Sequence, residues 1–151
     1  MAFKTKLNME NSAVRSLFAL MAVVMLAGCE SEQAAFSMED RNHAITILRE
    51  KMFPWSSEYD TYVVVSRLPQ CQRKYPLKAS SKGSLELYAG SGERQFFFSQ
   101  GKNWYFAETD SCGSERLEEE PKVGEPIGSY RDKDGSFKWV AAAPAKGADE
   151  K

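Results

Sequence analysis

The apolar run from Leu17 to Leu26 ends at Ala27-Gly28-Cys29, and Glu30, Ser31 and Glu32 follow at once. A helix that spans a bilayer needs roughly 20 apolar residues to cross a hydrocarbon core of about 30 Å. This run holds only about ten, so it predicts no retained span. No other stretch of the 151-residue chain is as continuously apolar. Whatever follows it must build a core from short, interrupted apolar segments.

Lys4, Lys6 and Arg15 precede the run and small residues close it, which is the order of a secretory signal. Starting at Met9 would leave Met9-Glu10-Asn11-Ser12-Ala13-Val14-Arg15, an n-region of ordinary length. Leu26-Ala27-Gly28-Cys29 resembles the lipobox of bacterial lipoproteins. The resemblance implies a signal peptide over 1–28, cleavage before Cys29, and acylation of Cys29 as the new N-terminus. Each buried CH₂ contributes about 0.8 kcal/mol and a single chain holds only marginally, so the two or three chains implied would anchor durably. Glu30-Ser31 after the Cys, where Asp would favour inner-membrane retention, implies the outer membrane, with the domain facing the periplasm. The resemblance covers roughly a fifth of the chain.

Of 20 basic and 21 acidic residues, the signal removes Lys4, Lys6, Arg15 and Glu10, leaving 17 against 20 and a net charge of about −3. A mildly acidic domain is a poor general partner for nucleic acid, which calls for a basic excess. A mature chain of about 120 residues fits one domain. With Cys29 taken by lipid, Cys71 and Cys112 remain as an even pair in an exported chain, which predicts a disulfide. Closing a loop of about 40 residues stabilises by roughly 4 kcal/mol in the chain-entropy account. Neither Cys has another Cys two residues away and His43 is the one histidine, so no metal site or cofactor is expected.

The predicted architecture is α+β: an N-terminal amphipathic helix on a mainly antiparallel sheet, a meander of hairpins. Residues 29–36 read as the lipidated end and a polar tether, 37–140 as a single domain, and 141–151 as a disordered tail. Ser37 reads as an N-cap with Glu39 and Asp40 in the first turn. Met38, Ala44, Ile45, Leu48 and Met52 then share one stripe at helical spacing, and Pro54 ends it. On this helix His43 sits on the polar face, four residues after Glu39, as a solvated surface group rather than a catalyst.

From Thr61 the texture is β. Tyr62-Val63-Val64-Val65 and Leu85-Glu86-Leu87-Tyr88 read as strands. Lys74 to Ala79 suits an edge strand because of Pro76. Phe96-Phe97-Phe98 and Trp104-Tyr105-Phe106 flank a glycine turn that is either Gln100-Gly101 or Gly101-Lys102, and the choice decides which rings face inward. Half of those rings can fill a core, while an exposed remainder would be a binding platform. Asp134-Gly135 predicts a type I′ hairpin with Tyr130 opposite Trp139. Asp132 and Asp134 lack the further ligands of a calcium loop.

Arg67, Arg73, Lys74, Lys78 and Lys82 form a basic stretch around Cys71, and Glu108, Asp110, Glu115 and Glu118 to Glu120 an acidic one around Cys112. A Cys71–Cys112 bond predicts that the two stretches neutralise each other, each exposed pair contributing about 0 to 1 kcal/mol. Nucleophile elbows, phosphate loops, zinc sets and dinucleotide fingerprints are absent from the sequence. The expectation is therefore a non-enzymatic, membrane-anchored envelope lipoprotein acting as an interaction or structural module toward an envelope protein or glycan. The alternatives are a cell-wall hydrolase using paired carboxylates among Glu86, Glu93 and Glu108, or a carrier of a hydrophobic ligand in a cavity between helix and sheet.

Overall fold

A computed structural model describes residues 30–38, 42–53, 55–78 and 83–143. The signal segment, Cys29, Pro54, Lys82 and the tail beyond 143 lie outside the described residues.

Two antiparallel sheets pack face to face. The first is a four-stranded meander of β1 (Glu30–Ser37), β2 (His43–Lys51), β3 (Asp60–Arg67) and β4 (Cys71–Pro76). The second holds β5 (Leu85–Ala89), β6 (Gln95–Gln100), β7 (Asn103–Glu108), β8 (Gly113–Leu117), β9 (Gly128–Lys133) and β10 (Ser136–Ala141). Its spatial order is β10-β9-β5-β6-β7-β8, so the connection after β8 carries the chain from one edge back to β5.

The expected α+β fold is corrected by this arrangement: among the described residues there is no helix, and the protein is all-β. The segment read as an amphipathic helix supplies the end of β1 and all of β2. Along β2 burial alternates residue by residue, with His43, Ile45, Ile47 and Arg49 inward and Ala44, Thr46, Leu48 and Glu50 toward the other face. That is the period of a strand. Its inward row begins with a histidine and ends with an arginine, which hides the alternation from any count of apolar residues. Of the supposed helical stripe only Ile45 joins the buried cluster; Met52 is well exposed. The segment read as a tether also enters the sheet, Glu30 pairing with Lys51 and Ala35 with Thr46.

One cluster fills the space between the sheets. Ala34, Ile45, Ile47, Val63 and Val65 come from the first sheet, while Leu85, Leu87, Phe96, Phe98, Tyr105, Ala107, Tyr130 and Phe137 come from the second. Fully burying a side chain of this kind stabilises by about 1.5 to 3 kcal/mol. Turn chemistry sets the registers that aim these residues inward. Gln100 pairs with Asn103, so Gly101-Lys102 is the turn, and Gly101 takes a φ of 61° that suits glycine. This puts Phe96, Phe98 and Tyr105 in the core. At the β9–β10 hairpin Asp134 and Gly135 both have positive φ, and Tyr130 lies opposite Trp139. Gly128 lies beneath the Trp139 indole, where any Cβ would collide with the ring and with the Val140 carbonyl.

Polar ties join the sheets at three levels. At one end the Cys71 and Cys112 sulfurs lie 2.06 Å apart, and the Tyr75 hydroxyl donates to the Cys112 carbonyl at 2.7 Å. In the middle the buried Tyr130 hydroxyl donates to the Ile45 carbonyl at 2.7 Å. At the other end Arg49, only 1% exposed, reaches Glu32 on β1 and Asp132 on β9, both at 2.7 Å from Nη2. Its guanidinium stacks 3.7 Å over the Phe137 ring centroid and 4.8 Å from that of Tyr59. Burial works against its charge, but the hydrogen bonds and attraction of Asp132 and Glu32 outweigh this and hold it firmly protonated.

The cluster is asymmetric, because the cation is buried whereas Glu32 and Asp132 reach water. Removing the two acids strands a buried charge, and removing the cation leaves two solvated ones. Glu32→Gln with Asp132→Asn should therefore cost about 3 to 5 kcal/mol, and Arg49→Met clearly less. Urea denaturation of both variants checks this; a larger loss for Arg49→Met contradicts it.

Candidate functional site

The sequence-predicted residues occupy three separate regions. Cys29 lies outside the described residues but immediately precedes Glu30, the first residue of β1. Glu30 pairs with Lys51, the last residue of β2. Glu30 and the β2–β3 connection therefore sit at the same end of the first sheet. That connection carries Met52, Phe53 and Trp55, which are 67%, 48% and 81% exposed. The Phe53 and Trp55 rings stack at 5.1 Å with an interplanar angle of 14°. Next to them the Lys51 ammonium lies 4.5 Å over the Tyr59 ring. Sequence reasoning missed this surface by assigning Met52 to a helix; the cluster of Met, Phe and Trp beside a proline was the available signal.

Glu86 lies apart, on the outer face of the six-stranded sheet, in an open groove of about 510 Å³ with Tyr88, Lys102, Trp104 and Glu118 to Glu120. The Tyr88 hydroxyl donates to Glu86 at 2.6 Å, and its ring lies 5.3 Å from Trp104. This groove offers carboxylate acceptors, but Tyr88 and Trp104 are only 8% and 9% exposed, so little ring face is open for stacking. The third region is a groove shared by Glu93 and Glu108 with Arg94 and Asp110. Glu108 accepts from Gln95 at 3.2 Å and from Ser111 at 2.8 Å. The structure thus brings Glu93 and Glu108 together and leaves Glu86 elsewhere.

His43 is a correction. It is buried, not solvated, and its Nδ1 lies 2.7 Å from the Thr109 hydroxyl, joining β2 to the turn after β7. With 43–51 a strand, the helical spacing behind the solvated reading does not apply, and Glu39 lies outside the described residues. Among the described residues the charge-pairing expectation is met at Arg67, which donates to the Asp110 carbonyl at 3.2 Å and lies 3.9 Å from its carboxylate. Lys74 instead reaches Glu50 on β2 at 3.1 Å, and the Glu118 to Glu120 run faces the Glu86 groove. Arg94 donates to Asp110 at 2.7 Å, and this bond, with the nearby positive charge, holds the Asp110 carboxyl below its usual range. Asp132 serves Arg49, and Asp134 lies 3.6 Å from Lys138. Among the described residues no group of three or more His, Cys, Asp and Glu is placed to hold a metal ion.

Two phenols are displaced upward. Burial first, then the bond to Glu86, raises Tyr88, and burial raises Tyr130 far beyond the tyrosine range. A phenol whose folded pKa exceeds its unfolded value, about 10, favours the fold less as pH climbs past that value. Stability should be flat in this respect through neutral pH and fall above about pH 10. Glu86→Gln should bring Tyr88 down toward the ordinary range while Tyr130 stays protonated until unfolding. Phenolate absorbance, with Tyr88→Phe as reference, reads the shift; an unmoved Tyr88 contradicts the assignment.

No protein-family model matches the chain, and no curated protein or solved structure matches it, leaving these residues and their geometry to carry any functional assignment.

Proposed function

We propose that this protein is a non-catalytic lipoprotein of the bacterial envelope: an all-β domain acylated at Cys29, held on the outer membrane and facing the periplasm, where it acts as an interaction or structural module. The observation that carries the reading is the junction of Leu26-Ala27-Gly28-Cys29 with a strand beginning at Glu30. A lipid on Cys29 would be tied directly to a sheet, so the domain would stand against the membrane without a spacer. Its carboxylates support a structural rather than catalytic use, since Glu86, Glu108, Glu32 and Asp132 all accept hydrogen bonds within the fold.

The intact mass of the mature protein should show an N-terminus at residue 29 carrying acyl chains, and Cys29→Ser should move the protein from the membrane to the soluble periplasmic fraction. A mature chain with a free, unmodified Cys29 thiol refutes the anchor. Non-reducing peptide mapping should recover Cys71 linked to Cys112; two free thiols after export refute the bridge. In-cell crosslinking from the Glu86 groove then identifies the neighbour.

A further inference from the structure

We propose that Met52, Phe53 and Trp55 form a second contact with the bilayer, a shallow apolar wedge that fixes how the domain stands on the membrane holding Cys29. The inference rests on the anchor reading above and goes beyond it.

These three residues are large, apolar and exposed; Leu68, the other exposed large hydrophobic side chain among the described residues, lies on the β3–β4 turn at the opposite end of the first sheet. The opposite placement follows from register. Lys51 at one end of β2 pairs with Glu30, and His43 at the other pairs with Arg67, next to Leu68. Eight residue steps along β2 separate the two ends by about 26 Å at a strand rise of about 3.3 Å.

Register also settles the occupant. Cys29 is one residue before Glu30, Met52 is one residue after Lys51, and Glu30 and Lys51 are paired neighbours. Adjacent strands lie about 4.8 Å apart, so a lipid on Cys29 enters the bilayer within a few residue lengths of the Met52 side chain. The acyl chains thus hold this particular surface at the membrane, where even weak contacts are favoured by high effective concentration. The chemistry suits that position. Tryptophan and tyrosine concentrate at bilayer interfaces, apolar Met and Phe side chains partition beneath the headgroups, and the Lys51 ammonium can stay at headgroup level. A protein docked on the same residues would have to compete with lipid already tethered beside them.

The test uses the full chain exported with its own leader, purified, weighed intact, and reconstituted in phosphatidylethanolamine–phosphatidylglycerol vesicles whose lipids carry bromine near the glycerol end. Trp104 and Trp139 remain in every sample, so the Trp55 component is the difference between wild type and Trp55→Phe. Expected for acylated protein is a roughly twofold quenching of that component by brominated lipid and its protection from aqueous iodide. Met52→Ser with Phe53→Ser, exposed positions that leave the core intact, should keep acylation and weaken the quenching. If acylated protein shows a Trp55 component indifferent to bromine and open to iodide, the wedge is refuted and the anchor stands. Protection from both quenchers refutes it in favour of a protein contact. An unacylated mass overturns the anchor, and the wedge with it.

Discussion

A cation buried between two sheets is the interaction on which the arrangement of this protein turns. Arg49 sits near the end of β2, yet its partners lie on β1, 17 residues before it, and on β9, 83 residues after it. Taking a guanidinium out of water costs several kcal/mol unless it is paired, so the buried arginine forces Glu32 and Asp132 to converge. That convergence holds β1 against β2 and brings the β9–β10 hairpin over the first sheet. Phe137 and Tyr59 cover the guanidinium and complete its shielding. Away from this end, Tyr130, His43 and the Cys71–Cys112 bridge repeat the same inter-sheet link with smaller or covalent ties.

The position of that cluster bears on the start of β1, where the proposed anchor would join the sheet. β1 is mostly polar on its own account, contributing Ala34 to the buried cluster and Phe36 at its margin. Ladder bonds to β2, the Glu32–Arg49 pair and the packing of Phe36 against Trp139 at 5.0 Å keep it in place. Because β1 starts one residue after Cys29, any load carried by the proposed lipid would pass straight into the sheet. A domain attached in the proposed way would have restricted orientation, with the β2–β3 connection toward the bilayer and the disulfide end away from it.

Much of the second sheet was readable from the sequence because its chemistry is local. Asp134-Gly135 supplies two positive-φ positions, Gly101 supplies one, and aromatic runs on either side leave few alternatives to hairpins. The first sheet was opaque where its stability is non-local. Glu30-Ser31-Glu32-Gln33-Ala34-Ala35 has no apolar rhythm, since its main polar partner is an arginine on another strand. In β2 the inward ends are His43 and Arg49, so a reading that equates inward with apolar finds helical spacing instead of alternation. The disulfide pair was legible from cysteine count, and the exposed Met52, Phe53 and Trp55 were hidden by the mistaken helix. Of the candidate carboxylates, sequence could not show that Glu93 and Glu108 share a groove while Glu86 faces another, because strand order decides that.

β1 begins at Glu30, so the proposed acyl anchor on Cys29 would meet the sheet with no flexible tether, β1 being held in place by Arg49. Native-state amide hydrogen exchange on the acylated protein tests it directly. The β1 amides that bond to β2, within residues 31–37, should exchange orders of magnitude more slowly than free peptide, and Arg49→Met should accelerate them more than the amides of β6 and β7. Exchange of the whole segment at the rate of an unstructured peptide would contradict the account.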